Sequence, residues 1–165
     1  MVGERVVGSE YVKMTPPADK TIWSATVNKK SVELLINSNA VLLDVLRDQV
    51  GTLGVKRGCD LGTCGCCTVM IDGEPRLSCL CLAGQVSKTS ITTVEGLADG
   101  AHLAPIQACF AKYGGSQCGF CTPGFLVASQ ALLVDNPSPT DQEIAEAIEG
   151  NLCRCTGYQQ IIESI

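Results

Sequence analysis

The stretch "CDLGTCGCC" carries Cys59, Cys64 and Cys67 at C-x4-C-x2-C spacing, with a further cysteine downstream at position 79 or 81. This is the plant-type ferredoxin spacing for a [2Fe-2S] cluster. A rhomb of two irons and two sulfides needs two thiolates at each end, so three ligands from one loop wrap it and a fourth arrives from elsewhere. Gly58, Gly62 and Gly65 suit such a loop, because glycine permits positive φ and lets backbone amides approach the sulfides and tune the potential. Cys79 and Cys81, two apart on an expected strand, share a face, so periodicity leaves the fourth ligand open between them. Structural zinc sites pair two C-x2-C-like knuckles instead, a pattern this loop lacks.

A second set lies in the C-terminal half: Cys118 and Cys121 as C-x2-C in "QCGFC", and Cys153 and Cys155 as C-x-C in "LCRC". Each pair falls at a junction between helix and turn, so the two could converge across a bundle. Zinc fits this set nearly as well as a cluster. Two four-sulfur sets in one small chain favour a relay, since electron transfer gains from a second centre whereas two adjacent structural zincs gain little. The single histidine, His102, excludes a Rieske centre, which needs two, and lies too far in sequence to be an obvious base for a nucleophilic cysteine. Cys66 and Cys109 read as small buried hydrophobes. No residues remain for a substrate pocket, an acid-base pair or a nucleotide loop, so the chain is expected to carry electrons for chemistry performed elsewhere.

The elements that position these sulfurs divide the chain. Of 165 residues 45% are hydrophobic but only 4% aromatic. Two small domains with thin cores follow, and pieces of about 70 residues need a staple. Eleven cysteines supply one. The net charge of -5, with no basic run, excludes the electrostatic footprint of nucleic-acid binding. No apolar stretch approaches membrane-spanning length and the N-terminus shows no signal-peptide pattern, so a cytoplasmic protein is expected. In a reducing cytosol clustered cysteines hold metal rather than form disulfides.

Residues 1–21 read as an N-terminal extension. Residues 22–97 read as a small α+β domain: a hairpin from "TIWSATVN" and "KKSVELLIN", a helix with Leu42, Leu43, Leu46 and Val50 on one face, and a second hairpin around Asp72-Gly73 flanked by "CTVMID" and "RLSCLCLAGQV". Residues 98–165 read as four short helices. Leu103, Ile106, Phe110 and Tyr113 share a face of the first, Thr122 and Pro123 look like the N-cap and first position of the second, and Thr140 with Glu143 forms a capping box on the third.

"GCDLGTCGCCTVMIDG", "SCLCLA", "ITTVEGLA", "QCGFCTPG" and "EGNLCRCTGY" together resemble the iron-sulfur subunit of the xanthine oxidase family of molybdenum hydroxylases, in order and spacing from about residue 24 to the C-terminus. The resemblance implies a β-grasp ferredoxin-like domain followed by a four-helix domain, each with one [2Fe-2S] cluster. It assigns Cys59, Cys64, Cys67 and Cys79 to the first cluster and Cys118, Cys121, Cys153 and Cys155 to the second. It places Gln117 and Cys155 near the molybdopterin of a large partner subunit, and FAD on a medium subunit, in a dimer of heterotrimers. The implied electron path runs from molybdenum through both clusters to the flavin; a reductive relative acting on an aromatic thioester runs it backwards. A freestanding two-cluster ferredoxin is the alternative. Two departures from the family pattern stand out: Cys66 occupies a position where the family has a small residue such as alanine, and Cys81 adds a thiol beyond the fourth ligand.

Overall fold

The computed structural model describes residues 19–165, so the extension expected over residues 1–21 lies almost wholly outside the described residues. Strands β1 (Lys20–Val27) and β2 (Lys30–Asn37) form an antiparallel hairpin. Their two-residue turn puts Asn28 and Lys29 at φ +49° and +67°, the mirror-image turn that matches strand twist. Alternation along β1 buries Trp23, Ala25 and Val27 on one face.

The next segment opens as a single α-turn, α1 (Leu42–Asp44), and widens into a π-helix over Val45–Val50. Leu42, Leu43, Val45 and Leu46 are fully buried against the sheet, with Val50 packed at the margin. Gly51, left-handed at φ +86°, donates its N–H to Leu46 O and stops the helix as the sequence suggests.

β3 (Thr68–Ile71) and β4 (Glu74–Leu77) form the second hairpin about Asp72-Gly73. β5 (Ser90–Thr92) then runs parallel to β1 and antiparallel to β3. The order β2-β1-β5-β3-β4 with one helix on one face is a β-grasp sheet. One expectation fails here. The strand after Asp72-Gly73 does not run through "SCLCLAGQV" but ends at Leu77, giving way to 3-10 turns at Ser78–Leu80 and Ala83–Val86. The chain leaves the ladder at Ser78, whose N–H still donates to Cys67 O in register at 3.2 Å while its buried hydroxyl takes the same oxygen at 2.7 Å.

Four helices follow, α2 (Pro105–Tyr113), α3 (Thr122–Asp135), α4 (Asp141–Ile148) and α5 (Gln159–Ser164). In α2 only Ile106 and Phe110 face the core. Leu103 precedes the helix at 58% exposure and Tyr113 is 47% exposed, so the expected four-residue stripe is two residues long. Pro105 sets the helix start two residues beyond Leu103. Cys121 rather than Thr122 is the N-cap of α3, one residue earlier than expected. The Thr140–Glu143 capping box forms as expected, with Thr140 N–H donating to Glu143 Oε2 at 2.7 Å and Glu143 N–H to Thr140 Oγ1 at 3.4 Å.

α3 is the central element. It packs against β3 on one side and α4 on the other, so it is buried from Gly124 through Ser129 with no polar stripe. Its first turn lies directly on the first cysteine loop. A Cβ at Gly124 would stand 2.3 Å from Gly65 O and 2.8 Å from Asn151 Nδ2. Exchanging a helical glycine for alanine ordinarily gains about 1 kcal/mol; here Gly124→Ala is expected to cost about 1–3 kcal/mol through overpacking against rigid backbone. Thermal unfolding should show this as a midpoint lowered by about 2–4 °C per kcal/mol, while Gly84→Ala, into open space, should leave it unchanged.

Candidate metal centres

The first loop is built to present sulfur. Arg47 holds its approach by donating to Val55 O at 2.5 Å and Leu53 O at 3.2 Å. Arg57 spans the loop, pairing with Asp44 of α1 and with Asp60 beside Cys59. Gly62 and Gly65 take φ of +72° and +70°, as a tight curl requires. Gly58 serves the other purpose, close approach, since a Cβ there would lie 2.9 Å from Cys64 Sγ.

Within this loop the Cys59 and Cys64 thiols lie beside each other. Backbone N–H groups surround Cys59: the Leu61 amide foremost, then, with the Cys64 side chain, the amides of Thr63 and Cys64, hold its thiol down to about 6. Successive amides aimed at one sulfur form an anion nest. Cys67 meets Cys79, whose thiol burial and the adjacent Cys67 push up to about 11, against the pull of the Gly62 amide. The Ser78 bonds to Cys67 O bring Cys79 there. Cys79 and Cys81 therefore do not share a face, because neither lies on a strand: Cys79 sits in the 3-10 turn and Cys81 in the extended residue after it. Cys81 lines a separate cavity of about 300 Å³ with Arg76 and Val86, and burial raises its thiol.

The second set converges as well. Cys118 and Cys155 meet at the surface. Cys121 and Cys153 meet beneath them, half-buried. Burial and the neighbouring Cys153 push the Cys121 thiol up to about 12. Burial acts on Cys153 too, but three donors outweigh it and bring the thiol to about 7. These are Thr156 Oγ1 at 3.2 Å and the amides of Thr156 and Cys155, each at 3.4 Å. Gln117 lies exposed in the turn before Cys118.

Eight thiols thus stand as four facing pairs, two pairs to a site. Two pairs of thiols at each site supply the four sulfurs that a two-iron rhomb needs, each iron taking two.

Two family models match the chain: a 2Fe-2S iron-sulfur cluster binding domain over residues 11–111 and a [2Fe-2S] binding domain over residues 93–165. The nicotine 6-hydroxylase small subunit of Paenarthrobacter nicotinovorans is 46% identical over 149 residues, 90% of each chain. The nicotinate dehydrogenase small FeS subunit of Eubacterium barkeri is 44% identical over 143 residues, 87% of this chain and 91% of that one. The chain belongs to the iron-sulfur subunits of the xanthine oxidase family. The crystal structure of quinoline 2-oxidoreductase from Pseudomonas putida 86 superposes on this subunit with a TM-score of 0.86 and 46% identity, covering 88% of this chain and 90% of that one. The subunit thus carries two [2Fe-2S]-binding domains, and its relatives are subunits of multi-subunit oxidoreductases. Among the described residues no helix is long and apolar enough to cross a membrane.

Other residues of the subunit's sites carried no spacing signal in the sequence. Tyr158 accepts the Cys153 N–H at 3.0 Å and donates to Asn151 O at 3.2 Å, closing the C-x-C loop. Its ring meets Phe125 edge-on at 6.0 Å. Asn151 donates Nδ2–H to Gly65 O at 3.1 Å, tying the two sites together. Both stand in the "EGNLCRCTGY" motif, where the cysteines draw attention from them.

The thiol order makes a pH prediction for the metal-free subunit. A thiol of lowered pKa is thiolate above that value, and only thiolate reacts with iodoacetamide. At about pH 7 Cys59 and Cys153 should therefore be carbamidomethylated first and Cys79 and Cys121 last, with the contrast fading as pH approaches 11. Peptide mass spectrometry across pH checks it; equal rates at all four would contradict the amide nests.

Proposed function

We propose that Cys59, Cys64, Cys67 and Cys79 hold one [2Fe-2S] cluster and Cys118, Cys121, Cys153 and Cys155 a second, in a subunit that relays electrons between a molybdenum centre and a flavin on other chains. The observation that carries this is the pairing of thiols, two pairs at each site, with N–H and hydroxyl donors aimed at Cys59 and Cys153. Each cluster, when bound, accepts and passes on one electron at a time. The residues of the chain fix where those electrons enter and leave.

Cys118 and Cys155 are exposed beside the exposed Gln117, and this face suits contact with molybdopterin held by a large partner subunit. At the first site Leu61 and Leu80 are exposed around Cys59 and Cys79, an apolar rim that suits a medium subunit carrying FAD. Residues 22–97 and 98–165 are the two domains of this reading. A dimer of such heterotrimers, in the cytoplasm, completes it. The relatives named for nicotine and nicotinate support an N-heterocycle or related small molecule as substrate of the whole enzyme.

Metal analysis of the complex purified gently from its native cell is expected to give about four irons per molybdenum. Iron without molybdenum would instead indicate a freestanding ferredoxin, and zinc in place of iron would overturn the relay. The ligand set is checked by paramagnetic resonance of reduced variants. Cys79→Ser should lose or alter one of two cluster signals, whereas Cys81→Ser should keep both. The reverse result would move the fourth ligand to Cys81.

A further inference from the structure

From residue 57 to residue 67 the sequence carries two charged side chains, Arg57 and Asp60, and they flank Cys59. One guanidinium joins two carboxylates there. Its Nη1 pairs with Asp60 Oδ1, closing a ring over Gly58 and Cys59, and its Nη2 pairs with Asp44 Oδ1 on α1. The same helical turn holds the other arm of the first site, since Leu42 N–H donates to Cys81 O at 2.8 Å, two residues past Cys79. The neighbouring cations are engaged elsewhere: Lys56 Nζ donates to Leu53 O at 2.7 Å, and Arg47 donates to the carbonyls of Leu53 and Val55. Arg57 is therefore the cation that two carboxylates fix beside a proposed ligand of the first site.

We infer that Arg57 sets the electron affinity of the first site by its charge, offsetting two carboxylates that disfavour reduction there, and that Asp60 works against it. The inference rests on the two-cluster reading above. Reduction adds one electron to the iron pair of the first site, taken from an external one-electron reductant. It moves no proton at Arg57, because a guanidinium keeps its charge at any working pH. A cation beside a ligand stabilises the added electron and an anion destabilises it. Charge and hydrogen bonding around a cluster are levers on its potential. Arg57 is 40% exposed, so solvent and salt screen the effect to a modest size. A role confined to holding the loop's shape has a different consequence. Removing either partner breaks the same Arg57–Asp60 pair, so shape alone moves the potential one way in both variants, whereas charge moves it in opposite directions.

The test is a redox titration of the full, cluster-loaded complex, followed by paramagnetic resonance. Arg57→Gln should shift one-electron reduction of the first site about threefold toward the oxidised form, about 30 mV negative at 59 mV per tenfold. Asp60→Asn should shift it by a similar factor toward the reduced form. Arg57→Lys, which keeps the charge but not the fork, should recover most of the loss, and the second site should move less in every variant. Shifts of one sign in Arg57→Gln and Asp60→Asn would overturn the inference and reduce the clasp to a scaffold. So would unmoved potentials in proteins showing both signals, equal shifts at both sites, or loss of the first signal in Arg57→Gln beside an unmoved Asp60→Asn. Each of these leaves the two-cluster reading intact. A wild-type complex with a single cluster signal would instead remove that reading and the inference with it.

Discussion

The carbonyl of Gly65 is the point on which both halves of the molecule turn. It is buried and must be satisfied. Three donors meet it: Thr68 N–H at 3.1 Å, Thr68 Oγ1 at 2.7 Å and Asn151 Nδ2 at 3.1 Å. Positive φ at Gly65 aims the carbonyl out of its own loop, and the absence of a side chain at Gly124 lets α3 approach it. Because Cys121 is the N-cap of α3 and Asn151 stands two residues before Cys153, this one contact sets both halves of the second site against the first loop.

The thin cores make that contact matter more. One core gathers Trp23, the helix that begins at Leu42 and the inner face of the sheet; the other gathers Phe110, Phe125, Ile148 and Ile161. Neither holds many aromatics, and the loops between them carry the sulfur. What rigidity the loops have comes from polar anchoring: Arg57 with Asp44 and Asp60, Ser78 on Cys67 O, Tyr158 on the Cys153 amide. Buried polar networks of this kind specify one geometry when every member is satisfied. Amides and the Thr156 hydroxyl face Cys59 and Cys153, so the fold supplies donors where a cluster's ligands would stand.

Much of this was legible from residue spacing. A short polar Asn-Lys-Lys turn and Asp72-Gly73 marked the hairpins, the Thr140–Glu143 pair marked α4, and C-x4-C-x2-C marked the loop that presents Cys59, Cys64 and Cys67. What spacing hid was tertiary. Cys79 and Cys81 read as strand neighbours because their local composition is β-like, yet the strand ends at Leu77, with Cys79 in a 3-10 turn and Cys81 after it. Leu103 and Tyr113 fit a helical period but fall outside the buried face, since Pro105 sets the start and the core covers only one turn. α3 offers no stripe to read, being buried on all sides at its start. Asn151 looks like an ordinary loop residue until its partner, 86 positions away, is in place.

The close seating of the two sites has a physical rationale in electron transfer. Electronic coupling falls steeply with separation and is carried better by covalent and hydrogen-bonded links than through gaps. Two domains joined by a flexible linker would sample many separations, most of them too long. Here the linker is not slack: Val94 and Leu97 pack on the helical core, Glu95 accepts the Gly54 N–H at 2.6 Å, and Asn28 and Thr93 bond each other twice at 2.9 Å. The segment that separates the domains thereby holds them. With Leu152 bonded to Cys64 O and α3 seated on Gly65, the separation between sites becomes a property of packed backbone. Packed interiors resist continuous deformation, so the separation between the two cysteine sets is held by the chain's own packing.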